Sequence, residues 1–466
     1  MLHDCEPVQE PRATPEEPPS GVPLRGKGRS RPVGLAVVGR LPSRTKSPHR
    51  ANGDWRSMMT QQAAFTDFNP MESPHRENPH LFYKWSRTEQ PICFSPTLNA
   101  YVVTRYDDIK SIVDDPDTYS SSNAIPVLWQ NPEPVVEALH GIIPEAATVV
   151  NTDEPQHAPL RKVLDHAFSG RRIRQRLPLM RTRSAELVDQ FAGAHRADLV
   201  SAYADPYVQS IVSDVFGIPA EDNDRVQGWT NDYLTLLNPM VDVEEKVAAA
   251  RRMHDYERYI DALAEERRTS PRDDFMTDLV HGTDMVPAVS RDDLHYMFRG
   301  LRFAGHDTTR DLMTSTLLLL LDNDRRLWEM VRADRPVLQQ VIEETLRRDA
   351  PHRGLMRVTT RDVEIGGTPL PAGTSLLLLF GSANRDDTRF TAPDEVRLSR
   401  ANIHEHLAFG SGIHQCPGAQ LARTEVRTAI ETLLDRLPDL RLAPGYEPSY
   451  VASFFFRGLE RLDVTW

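Results

Sequence analysis

The chain has 466 residues, of which 39% are hydrophobic and 26% charged, with a formal net charge of -12. That balance suits a globular protein, and the acidic excess argues against a general nucleic-acid binder. The three cysteines, Cys5, Cys93 and Cys416, are far apart and odd in number, which argues against a disulfide framework or a zinc cluster and fits a reducing cytoplasm.

Residues 1–61 differ from everything after them. Prolines (Pro7, Pro11, Pro15, Pro18, Pro19, Pro23, Pro32) alternate with arginines and few large apolar residues. Such a composition cannot bury enough surface to offset chain entropy, so this stretch is expected to be a disordered N-terminal extension. A transit peptide, a partner-binding tail and a start assigned too early are the readings open to it. No run in the chain reaches the roughly 18 apolar residues of a membrane span, so no membrane anchor is expected.

Residues 91–103 predict a hairpin turning at Ser95-Pro96, and residues 107–113 a short helix. Residues 120–148 read as loop. At residues 151–161 the chain runs Asn-Thr-Asp-Glu-Pro-Gln-His-Ala-Pro-Leu-Arg. His157 and Arg161 stand four apart and share one helix face. Such a pair can be a solvated face, or it can hold two carboxylates, the arginine binding one in a fork. A basic stretch follows: Lys162, Arg171, Arg172, Arg174, Arg176, Arg181 and Arg183. Residues 184–287 read as helices separated by charged or proline-containing breaks.

Residues 290–322 predict one long helix, opened by Ser290 with Asp293 three residues on, a variant of the capping box. At its centre stands Ala304-Gly305-His306-Asp307-Thr308-Thr309. Ala304 and Gly305 leave room for something bulky, and Asp307 puts an acid beside an alcohol. Thr308 can equally bond the carbonyl of the preceding turn. Glu344 and Arg347 are three apart on the next helix, Arg357 precedes a strand, and Gly366-Gly367 marks a hairpin turn.

Residues 409–419 read Phe-Gly-Ser-Gly-Ile-His-Gln-Cys-Pro-Gly-Ala and run into a helix whose apolar residues recur at three- and four-residue steps. Pro417 fits a first helical turn, which places Cys416 at a helix N-terminus that favours a thiolate. Gly410, Gly412 and Gly418 leave no side chain between this backbone and a flat partner. A thiolate under a large flat partner suggests haem iron, which accepts a cysteine axial ligand.

The spacing Phe409-x-x-Gly412-x-x-x-Cys416-x-Gly418 resembles the haem-binding signature of the cytochrome P450 family. The resemblance covers residues 62–466 as one haem domain. It implies a mainly α fold, a triangular prism with a small β-rich side, and haem b as cofactor. It makes Cys416 the axial ligand of the iron. Phe409, Gly410, Gly418 and Ala304 lie about the haem, and His157, Arg161, Arg357 and His414 reach its propionates. By the same resemblance Thr308 would hold dioxygen and Asp307 would relay protons. Glu344 and Arg347 brace the cysteine loop. The third member of that brace is usually an arginine in Pro-x-Arg-Phe, but here Pro393-Asp394-Glu395-Val396 puts Glu395 at its place, leaving Arg397 or Arg400 to substitute. The resemblance also implies that the loop at residues 120–148 covers the substrate pocket, with Leu128 and Trp129 as candidates to line it, and that the tip of a C-terminal hairpin at residues 454–458 lines it too.

The function implied is oxidation of an apolar small organic molecule with O2 and electrons from ferredoxin and ferredoxin reductase, in a soluble cytoplasmic protein of bacterial type. In the family the segment of the basic stretch borders the face where an acidic electron carrier docks, which implies the same here. Two alternatives stand beside it, a peroxide-dependent haem-thiolate enzyme and a non-catalytic haem-binding protein.

Overall fold

A computed structural model describes residues 67–125, 131–142, 149–238, 240–284 and 286–466. The extension at residues 1–61 and the pocket candidates Leu128 and Trp129 lie outside the described residues.

The predicted hairpin is formed by β1 (Ile92–Ser95) and β2 (Ala100–Val103), paired antiparallel with Ile92 opposite Val103. They follow helix α1 (His80–Glu89) and precede α2 (Tyr106–Asp114). β3 (Tyr119–Ser120), β5 (Leu355–Thr359) and β8 (Ser375–Leu378) complete a five-stranded sheet in the order β1-β2-β8-β5-β3. Leu376, Leu377 and Leu378 of β8 are all buried, as a strand covered on both faces requires. β6 (Val363–Ile365) and β7 (Thr368–Leu370) form the expected tight hairpin. Gly366 and Gly367 adopt φ of +56° and +80° there, the pair of left-handed conformations that a type I′ turn demands. A third sheet joins β4 (Arg196–Asp198), β10 (Asp463–Thr465) and β9 (Arg441–Leu442).

The region expected to be loop contains a short helix, α3 (Glu133–Ala138). Pro132 and Pro134 open it instead of excluding it, because the N–H groups of a first turn have no intrahelical partner. α4 (His157–Ala167) and α5 (Gly170–Phe191) carry the basic stretch. α6 (Asp205–Phe216), α7 (Asn223–Leu237), α8 (Val243–Thr269) and α9 (Phe275–His281) follow. On α5 the basic stretch divides. Arg172 and Arg176, one turn apart, face inward and are buried; Arg172 pairs with Asp278 and with Asp273 at 2.8 Å, and Arg176 with Asp214 at 2.9 Å. Lys162, Arg171, Arg174 and Arg181 are exposed.

α10 (Arg291–Ala333) is the central helix. Ser290 caps it, accepting the Asp293 N–H at 3.1 Å and donating its hydroxyl to Asp293 Oδ2 at 2.7 Å, where the glutamate of a full box would take the backbone N–H of the capping residue. Residues 322–325 break it, three of them with positive φ, where the sequence predicts its end. Its buried residues Leu294, Phe298, Leu312, Leu317 and Leu320 belong to the main core. α11 (Val337–Arg348), the short α12 (Phe380–Ala383) and α13 (Ala419–Arg436) complete the helices. Among the described residues, no helix is long and apolar enough to cross a membrane.

Candidate active site

The cysteine loop is closed by its own backbone. Cys416 N–H donates to Phe409 O at 2.9 Å, and Gly410 N–H to Leu407 O at 2.9 Å. α13 begins at Ala419, two residues later than Pro417 predicts, with Gly418 as its N-cap residue. Cys416 therefore sits just ahead of the helix. Burial pushes its thiol pKa up, and the Gly418 N–H and the charges of Arg161 and Arg423 offset this only in part. The helix terminus does not by itself yield a thiolate; a cation at the sulfur would.

The glycines of the loop have different tasks. Gly412 has φ +69°, and a Cβ there would stand 2.7 Å from Val113 O, so it faces α2 and not a flat partner as the sequence suggests. Gly410 lines the cavity described below. A Cβ on Gly418 would lie 3.9 Å from the Cys416 sulfur.

Two consecutive acids of α11 grip this region. Arg347 meets Glu344 in two bonds of 2.9 Å, both side chains fully buried, and its Nη2 also donates to Pro393 O at 2.9 Å. The third member is Arg400, whose Nε lies 3.0 Å from Glu344 Oε1; Arg397 contributes only its backbone N–H, at 2.9 Å. The Arg397 side chain turns to Glu395 at 2.7 Å. Glu343 accepts two bonds from Arg423, at 2.7 and 2.9 Å, and faces His406 Nε2 at 3.1 Å. Arg423 also stacks on Phe409, 4.5 Å from the ring centre. Neither Glu343, Arg423 nor His406 stands out in the sequence, since an acid next to another acid on a helix has no distinctive spacing.

A cavity of about 610 Å³ opens above the cysteine. Cys416, Phe409, Gly410, His414, His157 and Arg161 border one part of it, and Ala304 and Thr308 another. The His157 and His414 rings lie 4.4 Å apart, and the buried Nε2 of each has no hydrogen-bond partner. Burial, then the charges of Arg357 and His157, push His414 down to about 3. Arg357 is itself buried on β5 and brought down to about 10 by desolvation, with Asp153 pulling the other way. Basic groups converging on unpartnered nitrogens fit an anionic ligand, and the carboxylates of a haem meet that description. Arg161 is turned otherwise. Its Nη1 donates to Ile413 O at 3.2 Å and to Gln415 O, and its Nε to Asp165 at 2.8 Å, so it ties α4 to the cysteine loop.

Leu301, Ala304, Thr308 and Leu312 reach the cavity from α10 at three- and four-residue steps. Gly305 points elsewhere: a Cβ there would meet Val212 of α6 at 3.5 Å, an ordinary contact, so it faces a neighbouring helix and not the cavity. Thr308 Oγ1 donates to Ala304 O at 2.7 Å. Asp307 is buried and bound by Arg310 at 2.8 Å and His306 Nδ1 at 3.3 Å. Burial raises its pKa, but the His306 bond and the Arg310 charge outweigh that and hold it below the usual range. Arg310 also pairs with Asp311 at 2.9 Å. Arg302, the other arginine flanking this segment, is buried and donates to Gln227 at 2.9 Å. Phe456 of the C-terminal hairpin packs edge-on against Phe303 and His352, each at 5.3 Å, forming a layer behind these two lining residues.

A model of the family described as Cytochrome P450 matches residues 72–442. Cytochrome P450 107B1 of Saccharopolyspora erythraea is 33% identical over 382 residues, 81% of this chain and 92% of the relative. Nocardicin C N-oxygenase of Nocardia uniformis subsp. tsuyamanensis is 34% identical over 412 residues, 85% of this chain and 98% of the relative. An intact type IV self-sufficient cytochrome P450 monooxygenase superposes with a TM-score of 0.81 at 30% identity, over 86% of this chain and 53% of that one.

Proposed function

The chain belongs to the cytochrome P450 family, and from that premise we propose that Cys416 is the axial ligand of its haem and that residues 62–466 form one haem domain. It is a haem-thiolate monooxygenase of small organic molecules, using O2 and electrons from redox partners. The observation that carries the residue assignment is the placement of Cys416 on one cavity with the orphaned imidazole nitrogens of His157 and His414.

When bound, haem supplies the iron at which O2 is reduced, and a cysteine thiolate favours O–O cleavage. The chain supplies the rest. His157, His414 and Arg357 hold the propionates, while Arg161 braces the loop carbonyls. Phe409 and the Gly418 N–H surround the sulfur. Leu98, Met297, Leu301, Phe303, Leu355 and Met356 give the cavity an apolar wall that admits an apolar substrate and excludes water. Thr308 orients a proton donor towards the cavity once its hydroxyl leaves the Ala304 carbonyl, and Asp307 delivers the proton.

Electrons come from ferredoxin and ferredoxin reductase in a reducing cytoplasm. The exposed Lys162, Arg171, Arg174 and Arg181 suit an acidic carrier, so reduction slows as salt rises. A second, peroxide-driven reading is favoured by one observation: the Thr308 hydroxyl and Asp307 are both engaged. Product formation with ferredoxin and reductase, set against peroxide alone, separates the two. Cys416→Ala must lose the reduced-CO absorption band typical of thiolate ligation; survival of that band removes the ligand assignment.

A further inference from the structure

The deeply buried Asp307 raises the question of how a proton reaches it. His306 answers on geometry. Its ring lies between two carboxylates: Nδ1 is 3.3 Å from Asp307 Oδ1, and Nε2 is 3.4 Å from Asp205 Oδ1, off the axis of a hydrogen bond. The side chains of His306 and Asp307 are 2% and 12% exposed, and that of Asp205 is 36% exposed. The three thus run from solvent to the buried acid. Asp205 opens α6, whose Val212 lies beside Gly305 of α10.

We propose that His306 is the proton relay that reloads Asp307 from solvent through Asp205, with Arg310 as the positioning residue that holds both carboxylates to the ring. The inference rests on the reading of Asp307 as the proton donor. Imidazole suits the task because it accepts at one nitrogen while donating at the other. A proton passes from solvent to Asp205 and on to Nε2, and the Nδ1 proton moves to Asp307 Oδ1. One proton enters and one leaves, and no electrons move. The ring then returns to its first tautomer before the next delivery.

The surrounding charges agree with this direction. Asp307 is held in its ionised form, so it can deliver a proton only if it is recharged in each cycle. Arg310 spans the site, 2.8 Å from Asp307 and 3.5 Å from Asp205. Asp311, brought up to about 6 by burial, sits against the far side of Arg310 at 2.9 Å. Arg302 adds a positive charge from the preceding turn. Only Asp205 among these groups lies on another helix.

The test uses the haem-loaded enzyme with its redox partners. His306→Gln keeps donor and acceptor atoms but cannot tautomerise. It should lower the rate of product formation about tenfold or more, a modest share of a general acid's effect because water can substitute in part. It should also enlarge the solvent isotope effect and the fraction of electrons lost to peroxide. Asp205→Asn, isosteric at a half-exposed position, should shift the same quantities in the same direction, less strongly. A measurement without turnover accompanies them. The 15N chemical shifts of the His306 ring in the reduced, CO-bound protein report which nitrogen holds the proton, and they should change in Asp205→Asn. Parent-like rate and isotope effect in His306→Gln, or unchanged His306 15N shifts in Asp205→Asn, overturn the relay. Asp307→Asn separates the two levels: slow in that variant but normal in His306→Gln, the donor stands and the relay falls. Normal in both, the donor assignment falls as well.

Discussion

Arg400 Nε lies 3.0 Å from one oxygen of Glu344 and 3.1 Å from the other, so this single buried carboxylate is shared by two guanidinium groups, Arg347 and Arg400. Removing it strands both. Glu344→Ala should cost about 3–5 kcal/mol, the penalty of breaking a buried pair, and should lower haem content in the purified protein. Arg400→Ala should cost less, since Arg347 still satisfies both oxygens. Urea unfolding of the two variants checks the order; equal losses would show that Arg400 is not subordinate.

Haem retention tests the anion site. His414→Ala deletes an imidazole that borders the cavity, and Arg357→Ala a buried guanidinium whose charge acts on it. Each should weaken retention by about 1.5–3 kcal/mol, the worth of a charged hydrogen bond, or roughly ten- to hundredfold. Arg161→Ala should loosen the cysteine loop instead, broadening the haem spectrum more than it speeds haem loss. The rate of haem transfer to an excess of an acceptor globin measures the first effect. A large release rate for Arg161→Ala alone would reverse the assignment.

Thr308→Ala should leave stability unchanged or slightly higher, because alanine is the better helix former and the Ala304 carbonyl remains within a regular helix. Electron consumption should continue while product falls and hydrogen peroxide rises. Peroxide and product per NADH are the readouts. Tight coupling in the variant would mean the hydroxyl serves the Ala304 carbonyl only, and the peroxide-driven reading would then move ahead.

Glu343 gives a pH dependence of stability. Burial raises its pKa, but hydrogen bonds from His406 and Arg423 outweigh it and hold the carboxyl at about 2 against 4.5 for the free group. A depressed acid stabilises the fold above its unfolded pKa and ceases to do so as pH falls through its folded one. The loss caused by Glu343→Gln should therefore be full at neutral pH and shrink between 4.5 and 2. Denaturation of parent and variant across that window decides it; a constant gap would mean the pair's contribution is not electrostatic.

Local features were legible in the sequence. The Ser290 cap, the turn at Gly366-Gly367 and the loop from Phe409 to Gly418 are written in residues a few positions apart, and the structure forms each of them. Long-range charge pairing was not legible. Arg172 and Arg176 look like surface until Asp278 and Asp214 are seen opposite them. His306 lies inside a recognisable string, but its second partner, Asp205, is on another helix about a hundred residues earlier. The choice of Arg400 over Arg397 depends on how residues 393–400 fold back on Glu344, which no periodicity encodes. The helix at residues 133–138 was hidden by its prolines, which occupy the first turn.

The Glu343 clamp also sets what changes of length this chain can absorb. One carboxylate holds His406 on one side of Cys416 and Arg423 on the other, while Cys416 N–H reaches back to Phe409 within the same span. An added residue between the two grips would have to be absorbed inside this tied span or would slide the sulfur along the loop. Among homologous chains, gaps in alignment should therefore fall outside residues 406–423, and grafts of this segment between relatives should succeed only when the spacing is carried over whole.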